Sequence, residues 1–173
     1  MQRIRHTKKT RLIYCEGNQD KAFLVYIKSV YTTDGLINID VKSGTGGDQV
    51  HLVKGAIRIG DSYDEVFIQL DSDRDSIEMD EAKQLAHDNN INVLKTTPCT
   101  EKILISIVEP KKNTIGWPSS KIKNYLHNNH IPRKKRTNTY AYQALFQKPK
   151  LEAARLNNAE LDEIIKVFNK NSV

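Results

Sequence analysis

Cysteine is nearly absent from this chain: Cys15 and Cys99 are the only two in 173 residues. Two cysteines exclude a disulfide framework, and no cysteine–histidine spacing of a zinc site accompanies them. Reduced thiols suit a cytoplasmic protein, which is the compartment expected. No apolar run approaches the roughly 20 residues that a bilayer span requires, so no membrane association is expected. The opening Met1-Gln-Arg-Ile-Arg-His-Thr-Lys-Lys-Thr10 has the charges of a signal peptide's start. It lacks the apolar stretch that should follow, so no secretion signal is read. Acidic residues are missing from one long segment altogether, since Pro110 to Leu151 contains neither Asp nor Glu.

What is present is charge, unevenly placed. The net charge is +6, yet Asp61 to Asp88 holds ten acidic residues against Arg74 and Lys83. The acid-free segment carries Lys111, Lys112, Lys121, Lys123, Arg133, Lys134, Lys135, Arg136, Lys148 and Lys150. An acidic centre beside a basic segment is what a metal-dependent enzyme acting on a polyanion needs: cations hold phosphates, and carboxylates hold metal. The plainer reading of such a segment is a solvated face. Its length without an acid favours nucleic acid as the partner.

Short apolar runs bounded by turn residues predict strands at Leu12–Cys15, Ile37–Val41, Glu65–Leu70 and Ile91–Lys95. Helical spacing predicts helices at about 20–31, 49–59 and 79–89 between them. Strand and helix alternate, so the expected fold class is α/β: a parallel sheet flanked by helices, joined by right-handed crossovers. Residues 1–10 read as a basic, poorly ordered lead-in. After Glu101 the pattern changes to a short apolar helix at Lys102–Val108, a loop containing Trp117, and a helix at Ser119–Asn129 capped by Ser119 or Ser120. A basic turn at Ile131–Thr139 and one or two short helices follow. The chain thus divides into an α/β domain at 11–108 and a basic helical extension at 109–173.

Glu16-Gly17 follows the first strand, and Asp71-Ser72-Asp73 follows the third. The carboxyl ends of parallel strands share one sheet edge, where ligands bind. Carboxylates gathered there repel one another unless a cation sits between them, so Glu16, Asp71 and Asp73 read as a divalent-metal site. Turn-capping is the plainer role for either motif alone. Ser43-Gly-Thr-Gly-Gly-Asp48 is either a backbone phosphate cradle or an ordinary turn into a helix. His127 and His130, near the basic patch, could touch phosphates, although a surface role is the plainer reading. Trp117, Tyr125, Tyr140, Tyr142 and Phe146 interleave with cations as a base-stacking surface would, although such spacing also suits a core.

Glu-Gly after the first strand and Asp-x-Asp after the third resemble the TOPRIM signature, the metal-binding α/β module of topoisomerases, primases and overcoming-lysogenization-defect nucleases. Tyr14-Cys15-Glu16-Gly17, the compact size and Thr97-Pro98-Cys99-Thr100-Glu101 look most like RloB-type proteins of prokaryotic defence loci. The last motif corresponds to Asn-Pro-Cys-Phe-Glu, with Thr97 for Asn and Thr100 for Phe. The resemblance covers about 11–108.

The resemblance implies phosphodiester chemistry with Mg2+ or Mn2+, on DNA or RNA. By position it makes Asp71 and Asp73 metal ligands and Glu16 a ligand or general acid/base. Asp75 would serve a second ion, and Glu101 either joins the site or stabilises a helix start. Arg74 would neutralise a phosphate or damp carboxylate repulsion. A protein partner from the same defence system is implied as well. The alternative is a non-catalytic nucleic-acid or protein binding subunit. A haloacid-dehalogenase-type phosphatase fits poorly, because its Asp-x-Asp follows the first strand and Asp75 departs from its motif.

Overall fold

The computed structural model describes residues 8–32, 35–73 and 76–169. Four strands, β1 (Lys9–Cys15), β2 (Ile37–Ser43), β3 (Glu65–Asp71) and β4 (Ile91–Thr96), form one sheet in the order β2-β1-β3-β4. Every neighbouring pair is parallel, and Ile13 stands beside Val41 on one side and Phe67 on the other. β1 is buried without interruption from Arg11 to Cys15. That is the pattern of a strand covered on both faces, whereas edge strand β2 alternates. The fold is α/β, with helices on both faces of an all-parallel sheet.

α1 (Asn18–Tyr31) lies on one face; α2 (Gln49–Gly60) and α3 (Ser76–Asp88) lie on the other. Leu52, Val53 and Ala56 of α2 and Met79, Ala82 and Ala86 of α3 bury against Tyr14, Ile68 and Leu70 of the sheet. Gly55 is where α2 presses closest, because a Cβ there would meet the Tyr14 hydroxyl at 2.8 Å.

α4 (Thr100–Val108) begins the chain's second half, and α5 (Ser119–Asn129), α6 (Thr139–Leu145), α7 (Lys148–Arg155) and α8 (Ala159–Val167) follow. A 3₁₀ turn at Arg133–Lys135 separates α5 from α6. Ile122, Leu126, Tyr142, Phe146, Leu151, Leu161 and Phe168 share one apolar cluster with Phe23, Leu24 and Ile27 of α1 and Ile103 and Leu104 of α4. The extension is therefore packed over the α1 face rather than capping the end of the sheet. Arg11 pins it from below. Its buried guanidinium pairs with Glu65 at 2.6 Å, stacks over Phe67 and donates to the Val167 carbonyl.

Several expectations need correction. Lys9 and Thr10 belong to β1 instead of a loose lead-in, while residues 1–7 lie outside the described set. The end of the chain carries three short helices, where one or two were expected. α5 is capped by the extended backbone of Pro118, with no side-chain bond from Ser119 or Ser120. Tyr142 and Phe146 are buried core residues and so provide no stacking surface.

Candidate functional site

Strand order decides where a site can form. β1 connects outward to β2, and β3 connects outward to β4 on the opposite side. The strand order thus reverses between β1 and β3, and a crevice opens at their carboxyl ends. Glu16 and Asp71 stand at those two ends, and both line a cleft of about 490 Å³. Glu101, in the first turn of α4, lines it as well.

Asp71 is held by the loop after β4. Its Oδ1 accepts from the Thr96 hydroxyl, the Thr100 N–H at 3.2 Å and the Thr100 hydroxyl at 3.3 Å. Burial, and then the nearby Asp20 carboxylate, push its pKa up to about 8 despite those bonds. Asp20 lies in the first turn of α1 and accepts from the Gly17 N–H at 3.3 Å. Burial and the Glu101 carboxylate raise it to about 6. Glu101 is 6% exposed; its Oε1 accepts from the Gln19 amide at 3.0 Å, and its buried Oε2 has no partner.

These three carboxylates come from separate elements, and Glu101 adds to the burial that raises both Asp20 and Asp71. Like charges gathered out of water favour a proton or a cation between them. An all-oxygen donor set with one buried, unpartnered oxygen fits Mg2+ or Mn2+ in chemistry. The spacing is open: among the described residues no group of three or more His, Cys, Asp or Glu is drawn together closely enough to hold an ion as it stands.

Asp20 was not among the residues singled out from sequence. The expected helix began at Asp20, where an acid reads as a cap. The helix instead begins at Asn18, two residues earlier. That start turns Asp20 back toward the strand end, four residues after Glu16. An acid pair spaced Glu-x-x-x-Asp across a strand–helix junction was the available signal.

Asp73 does not line the cleft; it accepts from Lys123 Nζ at 3.1 Å. Lys123 itself does line it. Its burial, which lowers an ammonium's pKa, is outweighed by Glu101, Asp73 and Asp71, so its pKa is raised. Asp75 and Arg74 lie outside the described residues.

The basic segment splits into groups. Lys123, Arg133 and Arg136 face the cleft. Lys112 sits 4.3 Å over the Tyr125 ring, and Lys121 sits 4.2 Å over Trp117. Lys111 lies beside Lys112 on a separate surface, and Lys134 and Lys135 are exposed on the 3₁₀ turn away from the cleft. Cations resting on rings keep Trp117 and Tyr125 from acting as open stacking faces.

Of the two histidines, His127 is not a surface residue, and His130 is half-buried. His127 is buried along the cleft, and His130 bonds Glu109 at 2.6 Å. The glycine-rich loop offers no free phosphate cradle, since Asp48 and Glu78 already accept the α2 N-terminal N–H groups of His51 and Gln49. Burial raises the pKa of both the Cys15 and Cys99 thiols, which disfavours the nucleophilic thiolate.

No protein-family model, curated protein or solved structure matches the chain. Geometry alone must therefore carry the functional reading. Among the described residues no helix is long and apolar enough to cross a membrane.

Proposed function

We propose that this chain is a metal-dependent nuclease of TOPRIM, RloB-like type, cleaving phosphodiester bonds of DNA or RNA. A cytoplasmic defence-type system with a protein partner is the setting that reading implies. One observation carries it: Asp20, Asp71 and Glu101 share a cleft with Lys123, Arg133 and Arg136. The acidic wall calls for a cation, and the basic wall calls for an anion. A metal-bridged phosphate satisfies both.

Asp71, Asp20 and Glu101, with Glu16 at the rim, would hold Mg2+ or Mn2+. When bound, such an ion polarises a phosphate oxygen and lowers the pKa of its water. Arg133 and Arg136 would take the phosphate's outer oxygens, and Lys123 would balance charge between the walls. Thr96 and Thr100 keep Asp71 oriented. Glu16, at the strand end, is the acid/base candidate.

The Lys123–Asp73 ion pair favours a second reading, a binding subunit without catalysis, because it neutralises half of the Asp-x-Asp motif. Melting curves in Mg2+ and Mn2+, with plasmid and RNA cleavage assays, distinguish the two. Stabilisation and cleavage in the wild type, both lost in Asp71→Asn, are expected. Salt-sensitive binding with no metal response would establish the binding subunit instead.

A further inference from the structure

Ser120, Lys123, Asn124 and His127 fall at i, i+3, i+4 and i+7 along α5, and all four line the cleft. The opposite side of the helix, Ile122 and Leu126, is core. This polar stripe is fixed in place. Asn124 Oδ1 accepts from Arg133 Nη2 at 2.7 Å, and Lys123 is tied to Asp73.

His127 is the unusual member. It is 6% exposed, and Nδ1 lies 2.9 Å from the Ile131 carbonyl. A carbonyl only accepts, so Nδ1 carries a proton, and in the neutral ring Nε2 presents a lone pair. The Nδ1 contact is the ring's only hydrogen bond found among the described residues. Lys123, Arg133 and Arg136 on the same wall can only donate, which suits phosphate oxygens. His127 places an acceptor beside them. A nucleotide held by its phosphate presents its sugar next, and within a strand only ribose offers a donor there, the 2′-hydroxyl. The cleft volume of about 490 Å³ suits a nucleotide unit.

Resting on the nucleic-acid reading above, we propose that His127 Nε2 accepts a hydrogen bond from the ribose 2′-hydroxyl, so that the cleft takes single-stranded RNA. His127 is then a specificity-determining residue on the α5 wall of the cleft.

The test is fluorescence anisotropy in chelator at about pH 8, above the ordinary histidine range. One short sequence is compared as RNA, DNA and 2′-O-methyl RNA. Wild type is expected to bind RNA about tenfold tighter than the other two, the worth of one hydrogen bond. His127→Ala should reduce RNA binding to the DNA value and leave DNA binding unchanged. His127→Gln, which keeps an acceptor, should recover part of the difference. Comparing RNA with 2′-O-methyl RNA needs only the wild type, so it stands even where a variant folds poorly. Equal wild-type binding of all three strands, or equal loss of RNA and DNA binding in His127→Ala, overturns this inference alone. Binding of no strand overturns the nucleic-acid reading with it.

Discussion

Asp71→Asn separates what the acidic cluster costs the fold from what it offers a ligand. Oδ1 of Asp71 takes all three threonine bonds. Asparagine keeps that oxygen, so the local geometry survives while the charge is lost. In the wild type, burial and Asp20 raise Asp71 to about 8. The folded protein therefore holds a proton that the unfolded chain releases above the ordinary aspartate range. Where the folded state binds more protons, stability falls as pH rises, by about 1.4 kcal/mol per pH unit for one such group.

The loss begins above the unfolded value near 3.8 and is complete once pH passes about 8. Asp20, raised to about 6, adds to it over the lower part of that window. The outer edge of Asp71 meets solvent in the cleft, which trims the effect. Between about pH 5 and pH 8, the wild type should lose about 2–4 kcal/mol more stability than the variant. At the upper end, Asp71→Asn is the more stable apoprotein. Denaturant unfolding in chelator across that range measures it, and subtracting one protein from the other cancels the histidines. A difference that stays flat with pH, or a variant that is less stable at pH 8, would refute the buried-carboxylate argument.

A divalent cation should act in the opposite sense, because it must displace the protons that the cluster holds. The melting gain in Mn2+ is expected to be larger at about pH 8 than at about pH 6, and equal gains would count against ligation by these carboxylates. Arg11→Met strands the Val167 carbonyl and removes the buried partner of Glu65. A loss of about 3 kcal/mol is expected by denaturant unfolding, and less than about 1 kcal/mol would show that the pin is dispensable. Tyr142→Phe deletes a hydroxyl 2.7 Å from the Arg136 carbonyl and 3.3 Å from that of Gln19. It should cost about 1 kcal/mol and weaken nucleic-acid binding by loosening Arg136; unchanged affinity would separate that tether from the site.

The sheet was legible because its signal is local. β1 and β3 carry short apolar stretches, Leu12–Cys15 and Val66–Ile68, and the acid that marks the cleft follows the first strand and closes the third. Glu16, Asp71 and Glu101 were readable because strand ends of a parallel sheet converge whatever the helices do. Asp20 was hidden by an error of two residues in a helix start, where propensity is weakest and an acid has an ordinary capping role. The basic segment was legible in charge but not in direction. Nothing in the spacing of Lys112 and Lys121 says that each will rest on a ring. His127 turns inward because α5 packs Ile122 and Leu126 against the α1 cluster. That is a tertiary choice, which a polar pattern alone does not announce.

The two halves of the chain depend on each other electrostatically. The carboxyl ends of β1 and β3, with the first turns of α1 and α4, gather acids whose repulsion the sheet cannot relieve. Relief comes in part from Lys123, on a helix that reaches the cleft only because the extension is folded back over α1. Arg133 and Arg136 arrive by the same route, with Asn124 and Tyr142 setting their positions. One lysine cannot neutralise Asp20, Asp71 and Glu101 together, and Glu101 Oε2 stays unpartnered. Nor do the guanidinium groups of Arg133 and Arg136 meet a carboxylate in the hydrogen bonds or ion pairs found among the described residues. The cleft thus sets an unpartnered buried carboxylate oxygen and two guanidinium groups without carboxylate partners in one space, and the proposed metal and phosphate are the ligands whose charges complement them.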